Sequence, residues 1–450
     1  MASLTAFRGS AVAGLWLAVA LGAAPAASAR QAGSQPAPAQ AAAFDRAQVA
    51  DVVAGVQQLV REHYVDPALR QPIAARLQQG LRSGRYGVDD PNRFAELLSE
   101  DLQAVSRDGH MGIDFDPARF DRLSTSPEVD QAETDRMAIR VNHGLTEMRI
   151  LPGNVRYLRI RGFEWVTDRT GAVYDAAMRF LSEGDAIIID LRGNGGGHGS
   201  AVQYAFSHFM PADDALLMTF TDDQGRPQQS RVLAHLPSGR LTGRPLFVLV
   251  DEGTRSAAEE FAYHVKHFDA GRLIGGKTAG AANNNTFYPV AHGFVVSISG
   301  SRPVHGVTGT NWEGVGIMPD TAVEPSGALD AAHADALEAL AAAAPADQRV
   351  QIAWLVPHLR ARVQPVTLSE AELSRFVGRY GPRQIILEDG ALVHLAPELP
   401  PLRLIPLGGR VFAFPDTDQV RLEFQVEGDR VSALRVLSSR GTSRDLPRTE

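Results

Sequence analysis

The chain has 450 residues, 52 acidic against 44 basic side chains, a formal net charge of -8 and no cysteine. Its length and ordinary apolar fraction fit two or three globular domains. A modest acidic excess without a basic stripe speaks against nucleic acid as a partner, and without cysteine there is neither a disulfide framework nor a lipid-attachment site.

The first segment reads as a signal peptide. Arg8 supplies the positive charge, residues 11 to 24 the apolar core and Ala27-Ser-Ala29 the cleavage site. The core is interrupted by glycines and falls short of the roughly 20 residues of a membrane span. Cleavage after Ala29 would leave a periplasmic or secreted protein with no stable membrane span. Residues 30–43 form a low-complexity linker. Helical spacing then begins: Val49, Val52, Val53, Val56, Leu59 and Val60 share one face, Ile73, Leu77 and Leu81 a second, and Phe94, Leu97, Leu98 and Leu102 a third. Asp90 and Pro91 open the last as N-cap and first helical residue. The spacing predicts an N-terminal three-helix bundle over residues 44–113.

Residues 114–136 are polar and read as irregular, and Met137 to Leu151 and Val155 to Ile160 read as strands. From there the chain alternates: helix 170–182, strand 185–191, helix 198–210, strand 215–221, strand 245–250, helix 256–268 and strand 271–274. That is the rhythm of an α/β unit, which the alanine-rich helix Ala328 to Ala343 closes, so that it covers 137–345. Residues 366–450 change to short strands with turns at Glu388-Asp-Gly390 and Glu427-Gly-Asp429, which predicts a separate antiparallel β domain.

Ser256 falls between the buried strand 245–250 and the following helix. Ser256-Ala-Ala-Glu259 is a capping box, which alone would account for the serine. A serine there also places the Ala257 amide and the helix dipole beside any anion formed at its target, and the Gly195-Gly-Gly197 turn permits a second amide to approach. Gly271-Arg-Leu-Ile-Gly-Gly-Lys-Thr278 fits the P-loop pattern, but its apolar residues lie inside the motif and Ala-Ala-Asn-Asn-Asn follows in place of a helix. His264 and His267 read as surface or packing residues, and His198 borders the glycine turn. No His-Glu-x-x-His or comparable ligand spacing occurs, so neither a metal nor a cofactor is expected.

Five segments, Asp108-Gly-His-Met-Gly112, Asp190-Leu-Arg-Gly-Asn-Gly-Gly-Gly197, Thr254-Arg-Ser-Ala-Ala-Glu259, Gly275-Gly-Lys-Thr-Ala-Gly280 and Asn311-Trp-Glu-Gly-Val-Gly-Ile-Met-Pro-Asp320, resemble in order and spacing a family of serine peptidases. The family includes the C-terminal-processing (tail-specific) proteases, the tricorn core and the interphotoreceptor retinoid-binding protein branch, and the last is the most similar. The resemblance spans about residues 44 to 345. It implies a crotonase-like catalytic domain acting on a peptide or protein substrate, with Ser256 as nucleophile and the amides of Ala257 and of Gly195 or Gly196 as oxyanion hole. The tail-specific branch uses a lysine base after the nucleophile, but alanine stands at the matching place in Thr278-Ala-Gly-Ala-Ala282, and Lys277 lies before it. His110 is similar to the base of the tricorn and retinoid-binding branch, and Glu313 to the residue that orients it. The tricorn pattern has a hydroxyl residue before the histidine where this chain has Gly109. The link from Glu313 to His110 is then direct, water-mediated or replaced by Asp108. The alternative on the same fold is a non-catalytic module binding a hydrophobic ligand or peptide.

Overall fold

The computed structural model describes residues 45–125, 131–397 and 399–449, and the expected signal peptide and linker lie outside the described residues. Contacts divide the chain into residues 1–43 and 44–450. No helix among the described residues is long and apolar enough to cross a membrane.

Three helices open the described chain: α1 (Arg46–His63), α2 (Pro67–Ser83) and α3 (Pro91–Ser106). Asp45, Asp66 and Asp90 cap them through side-chain bonds to the first-turn amides. Their apolar stripes meet in one core, which Phe294, Val296 and Ile298 complete. Those three belong to β10 (Phe294–His305), the long strand of a five-stranded sheet with β1 (Gly112–Phe115), β5 (Leu216–Asp222), β6 (Pro227–Arg231) and β9 (Asn284–Pro289). The helices therefore do not stand as a free bundle; β10 is the floor of their core.

Where irregular chain and a long strand were expected, the structure has helices α4 (Pro117–Thr125) and α5 (Gln131–Arg140), and the strand β2 starts only at Leu145 (Leu145–Leu151). Met137 and Ile139 sit on α5, exposed, so their apolar alternation was misread as a strand signal.

The second sheet has six strands in the order β11-β8-β7-β4-β3-β2. They are β3 (Val155–Ile160), β4 (Ala186–Asp190), β7 (Leu246–Val250), β8 (Arg272–Gly275) and β11 (Thr321–Ala322), all parallel, with β2 antiparallel at the edge. Every residue of β4 and β7 is buried. Alternate side chains serve opposite faces: Ile187, Ile189, Leu246, Val248 and Val250 pack with α6 (Asp168–Ser182), α7 (Gly199–Ser207) and α8 (Ala257–His267). Ala186, Ile188, Phe247 and Leu249 meet α9 (Ala328–Ala343) and the shorter α11 (Val356–Val363), which follows α10 (Ala346–Ile352). Two covered faces explain why these strands read as unbroken apolar runs. The loops leaving the carboxyl ends of adjacent strands β4 and β7 carry the glycine turn and Ser256, where open α/β sheets place their crevice.

After α12 (Glu370–Ser374), nine strands between Gly378 and Pro447 form a four-stranded and a five-stranded antiparallel sheet around a core of their own, with Phe376, Tyr380, Phe412 and Phe424 in contact. This part leans on α10 and α11. Trp354 Nε1 donates to the Asp418 carbonyl at 2.6 Å, and Arg421 lies 4.0 Å above the Trp354 ring and donates to His358 Nδ1 at 3.0 Å.

Candidate active site

Ser256 has φ 52° and ψ -122°, a conformation that a residue with a Cβ rarely adopts. Such strain persists only where the surroundings impose it, and it gathers at functional sites. The imposing bonds are visible. Asp251 Oδ1 accepts from the Gly193 and Gly253 amides at 2.8 and 3.0 Å, Thr254 Oγ1 donates to the Leu191 carbonyl at 3.0 Å, and the Arg255 amide donates to the Asn194 carbonyl at 2.9 Å. The two loops are laced together, and a Cβ added to Gly196 would lie 2.8 Å from the Ser256 Cβ. Gly196, at φ 111°, must be glycine for this approach.

Asn194 organises the turn. It is fully buried, donates through Nδ2 to the Ile160 carbonyl at 3.0 Å and accepts the Gly196 amide on Oδ1 at 2.9 Å. Among the described residues the amides of Gly195 and Ala257 have no such partner. Asp190 and Arg192, in the same motif, are structural. Arg192 clasps Asp190 through two bonds of 2.9 and 2.6 Å and reaches the Pro325 carbonyl. Burial pushes the Asp190 carboxyl up, but Arg192 and the Tyr157 hydroxyl outweigh it and hold the group below its ordinary value.

His110 arrives from the other side. Its carbonyl accepts from Ser297 Oγ of β10 at 2.6 Å, its amide donates to Asp108 Oδ1 at 2.9 Å, and Arg255 Nη2 donates to the neighbouring Gly109 carbonyl at 3.0 Å. The residue before His110 is thus tied to the residue before Ser256. A ring nitrogen of His110 and one oxygen each of Asp108 and Glu313 lie within 4.8 Å of one another. His110 Nδ1 and Glu313 Oε1 are both buried and unpartnered among the described residues. No hydrogen bond joins Ser256 Oγ to His110 among them either, which is common before substrate binds. A Cβ on Gly109 would come 3.3 Å from the Ala281 Cβ and 3.4 Å from Arg255 Nη2, so those side chains fill the place a hydroxyl residue would need.

Burial lowers the His110 pKa against the pull of Asp108, with Arg255 adding to the lowering. Burial and the Asp108 charge push Glu313 up to about 7, against the amides of Asn283, Ala282 and Gly109. Glu313 Oε2 accepts from the Ala282 and Asn283 amides at 2.7 and 2.8 Å, and Asn283 Nδ2 donates to Asp108 Oδ2 at 2.9 Å.

Sequence reasoning missed the second role of Glu259. Its carboxylate is fully buried and accepts from the Ser256 amide (3.1 Å), the Thr278 hydroxyl (2.5 Å) and the Gly280 and Ala281 amides (2.7 and 2.9 Å). Four consecutive amides, 280 to 283, thus strap two carboxylates, Glu259 under the serine and Glu313 beside the histidine. Glu259→Ala would orphan several buried donors at once. The expected cost is about 3 kcal/mol or more, read as a lower urea midpoint at unchanged slope.

Lys277 is exposed and lies against Gly316, outside this network. The P-loop reading fails structurally, since β8 runs inside the motif and strand β9, not a helix, is the next element. His264 is buried and bonded to His305 at 3.1 Å, a packing role.

Residues 154–323 match the model of peptidase family S41, and residues 38–141 match the N-terminal domain of peptidase S41 in eukaryotic IRBP. Over these two segments the chain is similar to peptidase family S41. A curated relative, the chloroplastic C-terminal processing peptidase of Tetradesmus obliquus, is 28% identical over 172 residues, 38% of this chain and 35% of the relative. The chain therefore matches about a third of that relative's length. Among solved structures, a lipoprotein from Streptococcus agalactiae is 16% identical, with TM-score 0.43 over 62% of this chain and 93% of that one. The photosystem II D1 C-terminal processing protease is also 16% identical, with TM-score 0.39 over 61% and 92%.

Proposed function

We propose that this chain is an exported serine peptidase with a crotonase-like catalytic domain, in which Ser256 is the nucleophile and His110 the base. The observation that carries the reading is the strained Ser256 backbone held against the Gly195-Gly-Gly197 turn. Ser256 Oγ attacks the peptide carbonyl carbon as His110 takes its proton. The oxyanion is received by the Gly195 and Ala257 amides, because the Gly196 amide is already given to Asn194. His110 returns the proton to the leaving amine, and water then hydrolyses the acyl-enzyme by the same route. Glu313, with Asp108 beside it, orients His110 and stabilises its cation without an intervening hydroxyl. A pure binding module would need neither the strained serine nor buried carboxylates converging on a histidine. A serine-reactive phosphonate followed by peptide mapping tests the proposal: modification of Ser256 supports it, and an unmodified protein or modification elsewhere defeats it.

The pH response follows from the carboxylate. Turnover should climb as Glu313 loses its proton around pH 7 and level off above, and Glu313→Gln should flatten that limb while lowering kcat by about 100-fold. Stability runs the other way. A carboxyl whose folded pKa lies above its unfolded value binds a proton more tightly when folded, so its contribution is full below about pH 4.5 and is lost as pH rises through 7. Chemical denaturation across that range reads the sign.

The catalytic assignments all lie upstream of residue 366. If residues 366–450 are an independent module, a chain ending at 365 should melt cooperatively and still cleave a short peptide. Its Tm should fall, because Trp354 and His358 lose the Asp418 and Arg421 contacts. A soluble, cooperatively melting truncation without activity would mean that the β part helps build the site.

A further inference from the structure

A cavity of about 520 Å³ opens next to the glycine turn, between the start of α7, the β5–β6 hairpin and β10. Its walls include Trp165, His198, Gln203, Gln228, Ser230 and Asn284. Two routes join it to the serine. Gly196, which touches Ser256, precedes His198 by two residues, and a Cβ on Gly199 would lie 3.5 Å from the carboxylate of Glu260, one helical turn beyond Ser256. On the other side Asn284 directly follows the amide strap that holds Glu313.

The lining is polar without net charge. Its two ionic side chains, Asp222 and Arg226, pair with each other at 2.7 Å, and burial keeps His198 below its ordinary pKa, hence neutral near pH 7. An anionic group entering here would lose water and find the Arg226 guanidinium already held by Asp222, with the Glu164 carboxylate acting on His198 beside it. An aliphatic one would leave the carboxamides of the wall without partners. Ser230 Oγ is buried with no partner among the described residues, as is Asn283 Oδ1 beside Asn284. Trp165, 53% exposed, stands edge-on to His198 at 4.8 Å and offers an open aromatic face.

We propose that this cleft is a substrate subsite for an uncharged polar side chain, a carboxamide or hydroxyl, which Ser230 and the neighbouring carboxamides receive and Trp165 covers. The inference rests on the serine peptidase reading.

The test uses the full chain and its Trp165→Ala and Ser230→Ala variants. Peptides carry Gln, Asn, Ser, Leu, Lys or Glu at each position around the scissile bond in turn, and an alanine phosphonate labels the nucleophile. At one position kcat/KM for Gln or Asn should exceed that for Leu, Lys or Glu by about 10-fold, and Ser230→Ala should shrink the gap to about 2-fold, mainly through KM. Trp165→Ala should weaken the polar substrates through KM and narrow the same gap. An apolar or charged preference at every position, or a polar preference that survives both substitutions, overturns the subsite. Phosphonate labelling of Ser256 without any such preference defeats the subsite alone, whereas no labelling of the wild-type chain defeats the peptidase reading and the subsite with it.

Discussion

Ser256→Ala should remove peptide hydrolysis, by on the order of 10⁴-fold or more in kcat, while the protein stays folded. The loss follows because the neighbouring hydroxyls of Thr254 and Thr278 are buried and already donate to the Leu191 carbonyl and the Glu259 carboxylate. Stability should change by no more than about 1 kcal/mol, since a capping side chain is all that goes and the Glu259 carboxylate still holds the residue 256 amide. Alanine must also adopt the serine's φ of 52°, so the strain remains. Ser256→Gly separates the two effects: glycine takes this conformation freely and relieves the crowding against Gly196, so it should be equally inactive yet melt at or above the wild-type temperature. The measurements are turnover of a peptide substrate and thermal melting of both variants. Substantial turnover by either would remove Ser256 from the chemistry.

The sequence shows the parts of this molecule whose signal is local. Val49 to Val60 and Phe94 to Leu102 reveal their helices because an apolar stripe at helical spacing needs only one buried face, and Ala186 to Asp190 and Leu246 to Val250 reveal buried strands because both faces are covered. Ser256 at its strand-to-helix turn and the glycine turn are legible for the same reason, since each sits at a strand end with its motif in one stretch. What is hidden is made of backbone. Glu259 reads as a helix cap, and nothing in Gly280-Ala-Ala-Asn283 announces that four successive amides bind two carboxylates, because amides carry no residue identity. Asn194 carries a side-chain signal, a carboxamide amid glycines, which turn chemistry could have flagged. Met137 and Ile139 mislead because they are apolar and exposed, so their spacing reports no buried face.

His110→Ala should lower kcat by about 10³-fold or more, while Lys277→Ala should keep turnover within about 2-fold of wild type. The two residues are competing bases on sequence grounds, and their surroundings separate them. His110 is partly buried, which lowers its pKa, while the Asp108 charge favours its cation when it accepts the serine proton, and a Glu313 oxygen lies within 4.8 Å. Lys277 is exposed beside Gly316, outside the bonded network that joins the serine and histidine loops. His110→Gln is the finer control, because it keeps a polar side chain of similar reach without a titrating group, and it should be as inactive as the alanine variant. The decisive comparison is the pH dependence of kcat/KM: wild type and Lys277→Ala should share one profile, and the residual rate of the His110 variants should lose the limb near pH 7 that Glu313 imposes through the histidine. Loss of activity in Lys277→Ala with retention in His110→Ala would transfer the base to the lysine, and the carboxylates around His110 would then be scaffolding for the amide strap.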